Sequence, residues 1–204
     1  MTADLDSAIH ELADWLRIPS VSTAGGNPAA LREAAEWAGR RILEAGGTCE
    51  LVESLFDLDH PPLVVGELRA ARDDAPTVLI YGHYDVQDPG GEERWTTPPF
   101  EPDIRDGRIY ARGASDDKGN FLPLLLVACE LADAGELGVH VRVLIYLERW
   151  GLASRENLDV AGRYFDGTGR ELVVDGALGP GTNLAGDLDA ELASQRLSGL
   201  VGGL

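Results

Sequence analysis

Two short polar clusters contain residue types that bind metal ions. His83 and Asp85 follow an apolar run at 78–81, and Asp116 is the first of two adjacent aspartates. Because residues two apart in an extended chain point to the same side, Asp85 can accept the N–H of one His83 ring nitrogen while the other nitrogen binds a metal ion. A carboxylate that starts a helix and faces a histidine at a sheet edge could bridge two cations, which makes Asp116 a candidate ligand.

Both clusters also have simpler explanations. His83 could end a strand and bond only to water, and aspartates are common at helix starts because they cap free N–H groups and complement the helix dipole. Capping accounts for one of the two adjacent carboxylates, but it does not explain the flanking Gly113 and Gly119. The residue types alone therefore leave metal binding and capping as alternatives.

The spacing of apolar residues predicts the elements that position these clusters. Helices are predicted over 5–16, 28–45 and 118–134, and strands over 48–52, 62–68, 77–81, 139–147 and 171–174. The continuously apolar run at 78–81 is typical of a strand buried on both faces. A Pro- and Gly-rich loop over 87–112 connects the two clusters. This alternation predicts an α/β fold with a layered, mostly parallel sheet and helices on both faces, with His83 and Asp116 at the carboxyl edge.

Charge and composition restrict the partners of the chain. Its 35 acidic and 17 basic residues give a formal charge of -18, which repels nucleic acids and anionic membrane surfaces. No apolar run approaches the ~18 residues of a membrane span, and the first residues lack the pattern of a signal peptide. We therefore expect a cytoplasmic protein without nucleic-acid or membrane partners. Cys49 and Cys129 lack a disulfide or zinc-finger spacing and are expected to be small core residues.

Four stretches of the chain resemble one enzyme family. They are residues 18–22 (IPSVS), 81–87 (YGHYDVQ), 95–102 (WTTPPFEP) and 106–119 (DGRIYARGASDDKG). They look like the dinuclear-zinc metallopeptidases and amidohydrolases, which include acetylornithine deacetylase, succinyl-diaminopimelate desuccinylase, aminoacylase and carnosine dipeptidase. The stretch at 95–102 looks most like the dipeptidase branch. The resemblance covers the N-terminal part of the family's catalytic domain and implies a zinc exopeptidase-like fold.

The resemblance implies a role for each matching residue. His83 would be a zinc ligand, Asp85 its orienting partner and Asp116 the carboxylate that bridges both ions. A further acidic ligand of the family, which follows a short apolar strand, matches Asp175 in the stretch 171–176 (ELVVDG), where an Asp-Gly turn is the alternative. The implied cofactor is Zn²⁺.

Two positions of the family pattern lack a match. Relatives carry two consecutive glutamates after a strand like 141–145, the first a general base and the second a zinc ligand, whereas this chain has only Glu148 there. Glu148 lies near either position and cannot fill both; it is the candidate catalytic base, and a solvated carboxylate at a strand end is the alternative. A last histidine ligand is also missing, because no histidine follows Asp175. The other three histidines are expected to be surface or core residues: His10, His60 and His140.

The resemblance predicts a truncated catalytic domain. Residues 1–178 would form this partial domain and 179–204 a Gly-rich, poorly ordered tail. The lid or dimerisation domain of the family would be absent, so dimerisation of the family type is not expected. The predicted function is a zinc-dependent hydrolase that cleaves the amide bond of a small dipeptide or N-acyl amino acid with a metal-activated water, impaired by truncation. The alternative is a non-catalytic remnant or gene fragment that binds at most one metal ion, since only one zinc's set of ligands is complete.

Overall fold

The computed structural model describes residues 5–23, 25–53 and 61–147. The described helices are α1 (Leu5–Leu16), α2 (Pro28–Glu44) and α3 (Lys118–Asp133). The described strands are β1 (Thr48–Val52), β2 (Leu63–Leu68), β3 (Thr77–His83), β4 (Asp103–Arg105), β5 (Arg108–Tyr110) and β6 (His140–Tyr146). No helix among these residues is long and apolar enough to cross a membrane.

Four of the strands form a mixed sheet in the order β1-β2-β6-β3. The pairings of β1 with β2 and of β2 with β6 are antiparallel, whereas β3 and β6 are parallel. The predicted α/β class is confirmed, and the parallel pair is the part of the described sheet that ends at the candidate site. In that pair His83 lies opposite Tyr146, so the carboxyl ends of both strands meet at one edge.

Helices α2 and α3 pack on one face of this sheet, α1 packs against α3, and all three share one hydrophobic core. Trp15 of α1 is fully buried there, stacks on Trp37 of α2 with ring centroids 5.2 Å apart, and donates from Nε1 to the carbonyl oxygen of Ala34 at 3.0 Å. The opposite face carries a smaller apolar cluster that includes Leu63, Leu144 and Tyr146. Alternate residues of each strand thus face two different clusters, as expected of a pleated sheet.

The predicted helices match the observed ones closely because local signals mark their ends. At α2, the side chain of Asn27 accepts a hydrogen bond from the backbone N–H of Ala29 at 3.0 Å, and Pro28 occupies the first helical position. α3 continues through Pro123. Its N-cap residue is Asp117, whose side chain makes no capping hydrogen bond, so the capping explanation does not hold for Asp117.

Two expectations for the strands are wrong in detail. The strand predicted to end at residue 81 continues to His83, because Gly82 and His83 still pair with β6. It is also only partly buried at 78, 79 and 81, since among the described strands β3 has a neighbour on one side only. The central strand β6 is the one buried on both faces, with six of its seven residues buried.

The predicted loop at 87–112 contains the two-stranded hairpin of β4 and β5. Asp106 and Gly107 form its turn with φ values of 53° and 70°. Two successive positive φ values are typical of the tight turns that join antiparallel strands, and Asp-Gly is a preferred sequence for them. The turn signal was thus present in the sequence, but strands of three residues are too short to reveal an alternating pattern.

The remaining expectations concern isolated residues. His10 is exposed, while His140 is buried and its Nδ1 accepts the backbone N–H of Ala70 at 3.1 Å. Cys129 is buried and Cys49 half-buried, and neither forms a disulfide. Further expectations lie outside the described residues: His60, Glu148, the strand at 171–174, Asp175, and the domain boundary at 178 with the tail that follows it.

Candidate metal centre

His83 is the last residue of β3 and lies at the carboxyl edge of the parallel strand pair. Its side chain is largely buried, and the whole residue is only 9% exposed. The ring of Tyr146, the opposite residue on β6, meets the imidazole edge-on with centroids 5.9 Å apart. The fold therefore holds one imidazole in a fixed place at the edge where α/β sheets bind ligands.

Asp85 lies against one nitrogen of the His83 ring. The Nδ1 atom is 3.1 Å from the backbone carbonyl oxygen of Asp85 and 3.3 Å from its carboxylate Oδ1, and Asp85 is only 2% exposed. Since both oxygens are acceptors, this geometry favours a proton on Nδ1. In a neutral imidazole the other nitrogen, Nε2, then carries the lone pair that a metal ion requires.

Asp116 lies against the second ring nitrogen. Its Oδ1 is 3.1 Å from Nε2 of His83, and its side chain is 71% exposed. The predicted approach of His83 and Asp116 at one sheet edge is therefore present in the structure. Nε2 faces a carboxylate that is open to solvent, so an incoming cation could reach both atoms.

The charges of this cluster depend on one another. Burial lowers the pKa of His83, but hydrogen bonds to the carboxylates of Asp116 and Asp85 outweigh it and raise the pKa to about 10. The hydrogen bond from His83 in turn lowers the pKa of the Asp116 carboxyl. Without a metal, the pair is therefore an imidazolium beside a carboxylate at neutral pH.

Asp117 has a different role from its neighbour, and sequence reasoning missed it. Its Oδ2 accepts the backbone N–H of His83 at 3.2 Å. Burial raises the pKa of the Asp117 carboxyl. A Cβ atom at Gly82 would lie only 2.6 Å from that same oxygen, so a glycine is needed before His83. The adjacent pair of aspartates was the available signal, because capping explained only one of them.

Residues 18–22, one of the four stretches that carry the resemblance, hold the chain just beyond the end of β3. The Ser20 hydroxyl donates to the carbonyl oxygen of Tyr84 at 2.7 Å, and the Val86 N–H donates to the carbonyl oxygen of Ser20 at 2.8 Å. Ser20 and Tyr84 are fully buried. These bonds position the chain on both sides of Asp85.

The donor atoms fit part of a zinc site. Two ligands about 2.0–2.2 Å from one tetrahedral zinc ion lie about 3.4 Å apart, close to the 3.1 Å between Nε2 of His83 and Oδ1 of Asp116. In the ranges 5–23, 25–53 and 61–147, however, no three His, Cys, Asp or Glu side chains are grouped to hold a metal ion. The third candidate ligand, Asp175, and the candidate base Glu148 lie outside these ranges.

Comparisons with known proteins agree with this geometry. The model of Peptidase family M20/M25/M40 matches residues 79–148, which contain most of β3, the loop residues 113–117, α3 and β6. The chain is 33% identical over 122 residues to a cysteinylglycine-S-conjugate dipeptidase of Corynebacterium striatum, with 60% of this chain and 26% of that protein covered. It is 44% identical over 104 residues to succinyl-diaminopimelate desuccinylase of Xanthomonas oryzae pv. oryzae, with 48% and 26% covered.

Human carnosine dipeptidase 1 has a similar fold, with a TM-score of 0.73 and 26% identity over 85% of this chain and 39% of that one. Of the two curated relatives, the dipeptidase and the desuccinylase, the chain spans about a quarter of the length. The predicted resemblance to the N-terminal part of these metallopeptidases is confirmed, and residues 79–148 of this chain match the model of Peptidase family M20/M25/M40.

Proposed function

We propose that this chain carries the metal-binding edge of a zinc-dependent hydrolase of the dipeptidase or N-acyl amino acid amidohydrolase type. The observation that carries the proposal is the approach of His83 Nε2 to Asp116 Oδ1, 3.1 Å apart, at the carboxyl edge of the parallel strands. Two relatives named as dipeptidases support a small dipeptide as the substrate class.

Each residue has a distinct task in this proposal. His83 and Asp116 would hold the zinc ion, with Asp175 as the third ligand, and Asp85 would keep the His83 ring in the tautomer that leaves Nε2 free for the metal. Bound zinc lowers the pKa of a water molecule and polarises a carbonyl group. Glu148 would take a proton from the water whose oxygen attacks the carbonyl carbon and pass it to the leaving nitrogen. A C–O bond then replaces the amide C–N bond, and the products are a carboxylate and an amine.

The burial of the cluster supports this assignment. A charged His83 in a largely buried position needs the carboxylates around it, whereas zinc would supply the positive charge and leave the imidazole neutral. The exposed side chain of Asp116 leaves the outer side of the site open to a small substrate. Water and a small substrate could therefore reach the site beside the buried histidine, as the proposed hydrolysis needs.

A second candidate function is a non-catalytic protein that binds at most one metal ion. It is favoured by one observation, the lack of any three-ligand group within the described part of the chain. Both candidates allow one bound metal ion, so the hydrolytic activity distinguishes them.

Zinc titration of the full metal-free chain, followed by a hydrolysis assay, tests the proposal. We expect one tightly bound zinc ion per chain, lost in His83→Ala and kept in the control His10→Ala, whose side chain is exposed on α1. The hydrolysis panel contains cysteinylglycine, β-alanyl-histidine and an N-acetylated amino acid. Zinc binding without hydrolysis favours the non-catalytic candidate, and equal zinc binding by His83→Ala overturns the assigned site.

A further inference from the structure

The side chain of Lys118, the only lysine of the chain, is completely buried at the start of α3. It immediately follows Asp116 and Asp117, yet its ammonium group points away from the site edge towards α1. Nζ donates to the carbonyl oxygens of Trp15 at 2.9 Å and Ile18 at 3.0 Å. Lys118 therefore links the loop that carries the two aspartates to the C-terminal end of α1.

The end of α1 explains why an ammonium group can be buried there. The last carbonyl groups of a helix have no partner within the helix and carry the negative end of its dipole, so a cation with N–H donors satisfies them. The indole ring of Trp15, with its centroid 5.5 Å from Nζ, adds a favourable contact. These interactions offset part of the cost of taking the charge out of water.

The path of the lysine stem involves the site loop directly. A Cβ atom at Gly113, whose φ is +89°, would lie 3.6 Å from Cδ of Lys118 and 2.8 Å from Cγ1 of Val86. The stem thus runs close beneath Gly113, where the loop also meets the chain just beyond β3. Loop residues 113–117 are held between the end of α1 and the end of β3.

We propose that Lys118 is a positioning residue that holds this loop so that Asp116 faces His83 Nε2 and Asp117 receives the His83 backbone N–H. The inference rests on the proposed function, because it assigns Lys118 to the geometry of the proposed zinc site. If Lys118 served only to join α1 and α3, its replacement would lower the stability of both helices and would leave the arrangement of loop residues 113–117 unchanged.

The first test compares Lys118→Met with Arg41→Met in the full chain. Arg41 is the control because its guanidinium group, which is half-buried, also contacts α1, with Nε 2.7 Å from Oε2 of Glu11, but lies on α2 away from the site. Hydrogen exchange of the metal-free proteins needs no zinc. For Lys118→Met we expect faster exchange in the segments 81–86 and 113–121 with unchanged exchange in α2, and for Arg41→Met no change in those two segments.

Zinc affinity is the second readout. Loss of a group that orients ligands typically weakens metal binding 10–100-fold, and we expect a loss of this size in Lys118→Met but none in Arg41→Met. Unchanged zinc affinity in a folded Lys118→Met overturns the inference and leaves the proposed function standing. A wild-type chain that binds no zinc overturns the proposed function, while the exchange data still decide the role of Lys118.

A third measurement on the wild-type chain covers the case in which Lys118→Met does not fold. Acylation of the only lysine requires its amino group to leave the buried position and to react as the neutral amine. If Lys118 positions Asp116, zinc bound at Asp116 must in turn stabilise buried Lys118, because coupling between two sites is reciprocal and is typically about 5–150-fold. We expect saturating zinc to slow acylation of Lys118 by an N-hydroxysuccinimide ester within this range, and an unchanged rate overturns the inference.

Discussion

Nε2 of His83 lies 3.1 Å from Oδ1 of Asp116, although 33 residues separate the two in sequence. His83 ends a strand, whereas Asp116 belongs to the loop before α3. The contact forms because β3 and β6 run parallel and α3, which connects them, packs back on the sheet. The parallel pair therefore creates the candidate site.

Replacement of Asp85 by asparagine should weaken zinc binding about 10–100-fold, as is typical when the partner of a ligating histidine loses its charge. The change keeps the size of a buried side chain but removes the carboxylate that lies 3.3 Å from Nδ1. Competition with a zinc-binding dye gives the affinity, and Asp14→Asn on the exposed side of α1 is the control. Equal affinities for Asp85→Asn and wild type would show that Asp85 does not orient His83.

The stability contributed by His83 should fall as the pH rises. Its pKa is raised in the folded state from 6.5 to about 10, so the folded protein binds this proton more tightly than the unfolded chain does. The contribution is fully present below pH 6.5 and is lost as the pH rises to about 10. Urea unfolding of metal-free wild type and His83→Gln should therefore give a difference in unfolding free energy that shrinks over this interval.

The Asp116→Asn background is the control for this pH dependence, because it removes the negative charge from the hydrogen-bond partner that raises the His83 pKa most. In that background the difference in unfolding free energy between the Asp116→Asn protein and the Asp116→Asn, His83→Gln double variant should vary less with pH. If the difference in unfolding free energy between wild type and His83→Gln grew with pH, this would contradict a raised pKa of His83 in the folded state.

Gly82→Ala should destabilise the protein by about 1–3 kcal/mol, the usual cost of an overpacked core position. The added Cβ atom would lie 2.5 Å from Cδ2 of Phe121 and 2.6 Å from Oδ2 of Asp117. Gly138→Ala is the matched control, since a Cβ atom there meets nothing within 4 Å. Chemical denaturation measures both changes, and similar stabilities for the two variants would be inconsistent with the packing around Gly82.

Glu148→Gln should reduce any zinc-dependent hydrolysis by about 10²–10⁴-fold in kcat, the usual contribution of a general base. The substitution keeps the shape of the side chain and removes its basicity, so zinc content should not change. Glu130→Gln on the exposed face of α3 is the control. A zinc-dependent activity that survives in Glu148→Gln would place the base elsewhere.

The site residues differ in how far the sequence could predict them. The spacing of His83 and Asp85 predicted their contact, because side chains two apart in an extended chain share a side. The partner of Asp117 was not predictable in this way. Asp117 has the residue type and position of a helix cap, and only the approach of β3 gives its carboxylate the His83 backbone N–H instead.

The helices, the core strands and the two polar clusters could be predicted without the structure, since these depend on hydrophobic periodicity, end signals and residue type within short stretches. The mixed strand directions, the packing of α2 and α3 on one face of the sheet and the burial of Lys118 became evident in the folded chain. Strand pairing and burial depend on contacts between residues distant in sequence. A lysine at a helix start has the same local pattern whether it faces water or the carbonyl groups of another helix, and the packing of α1 against α3 decides between the two.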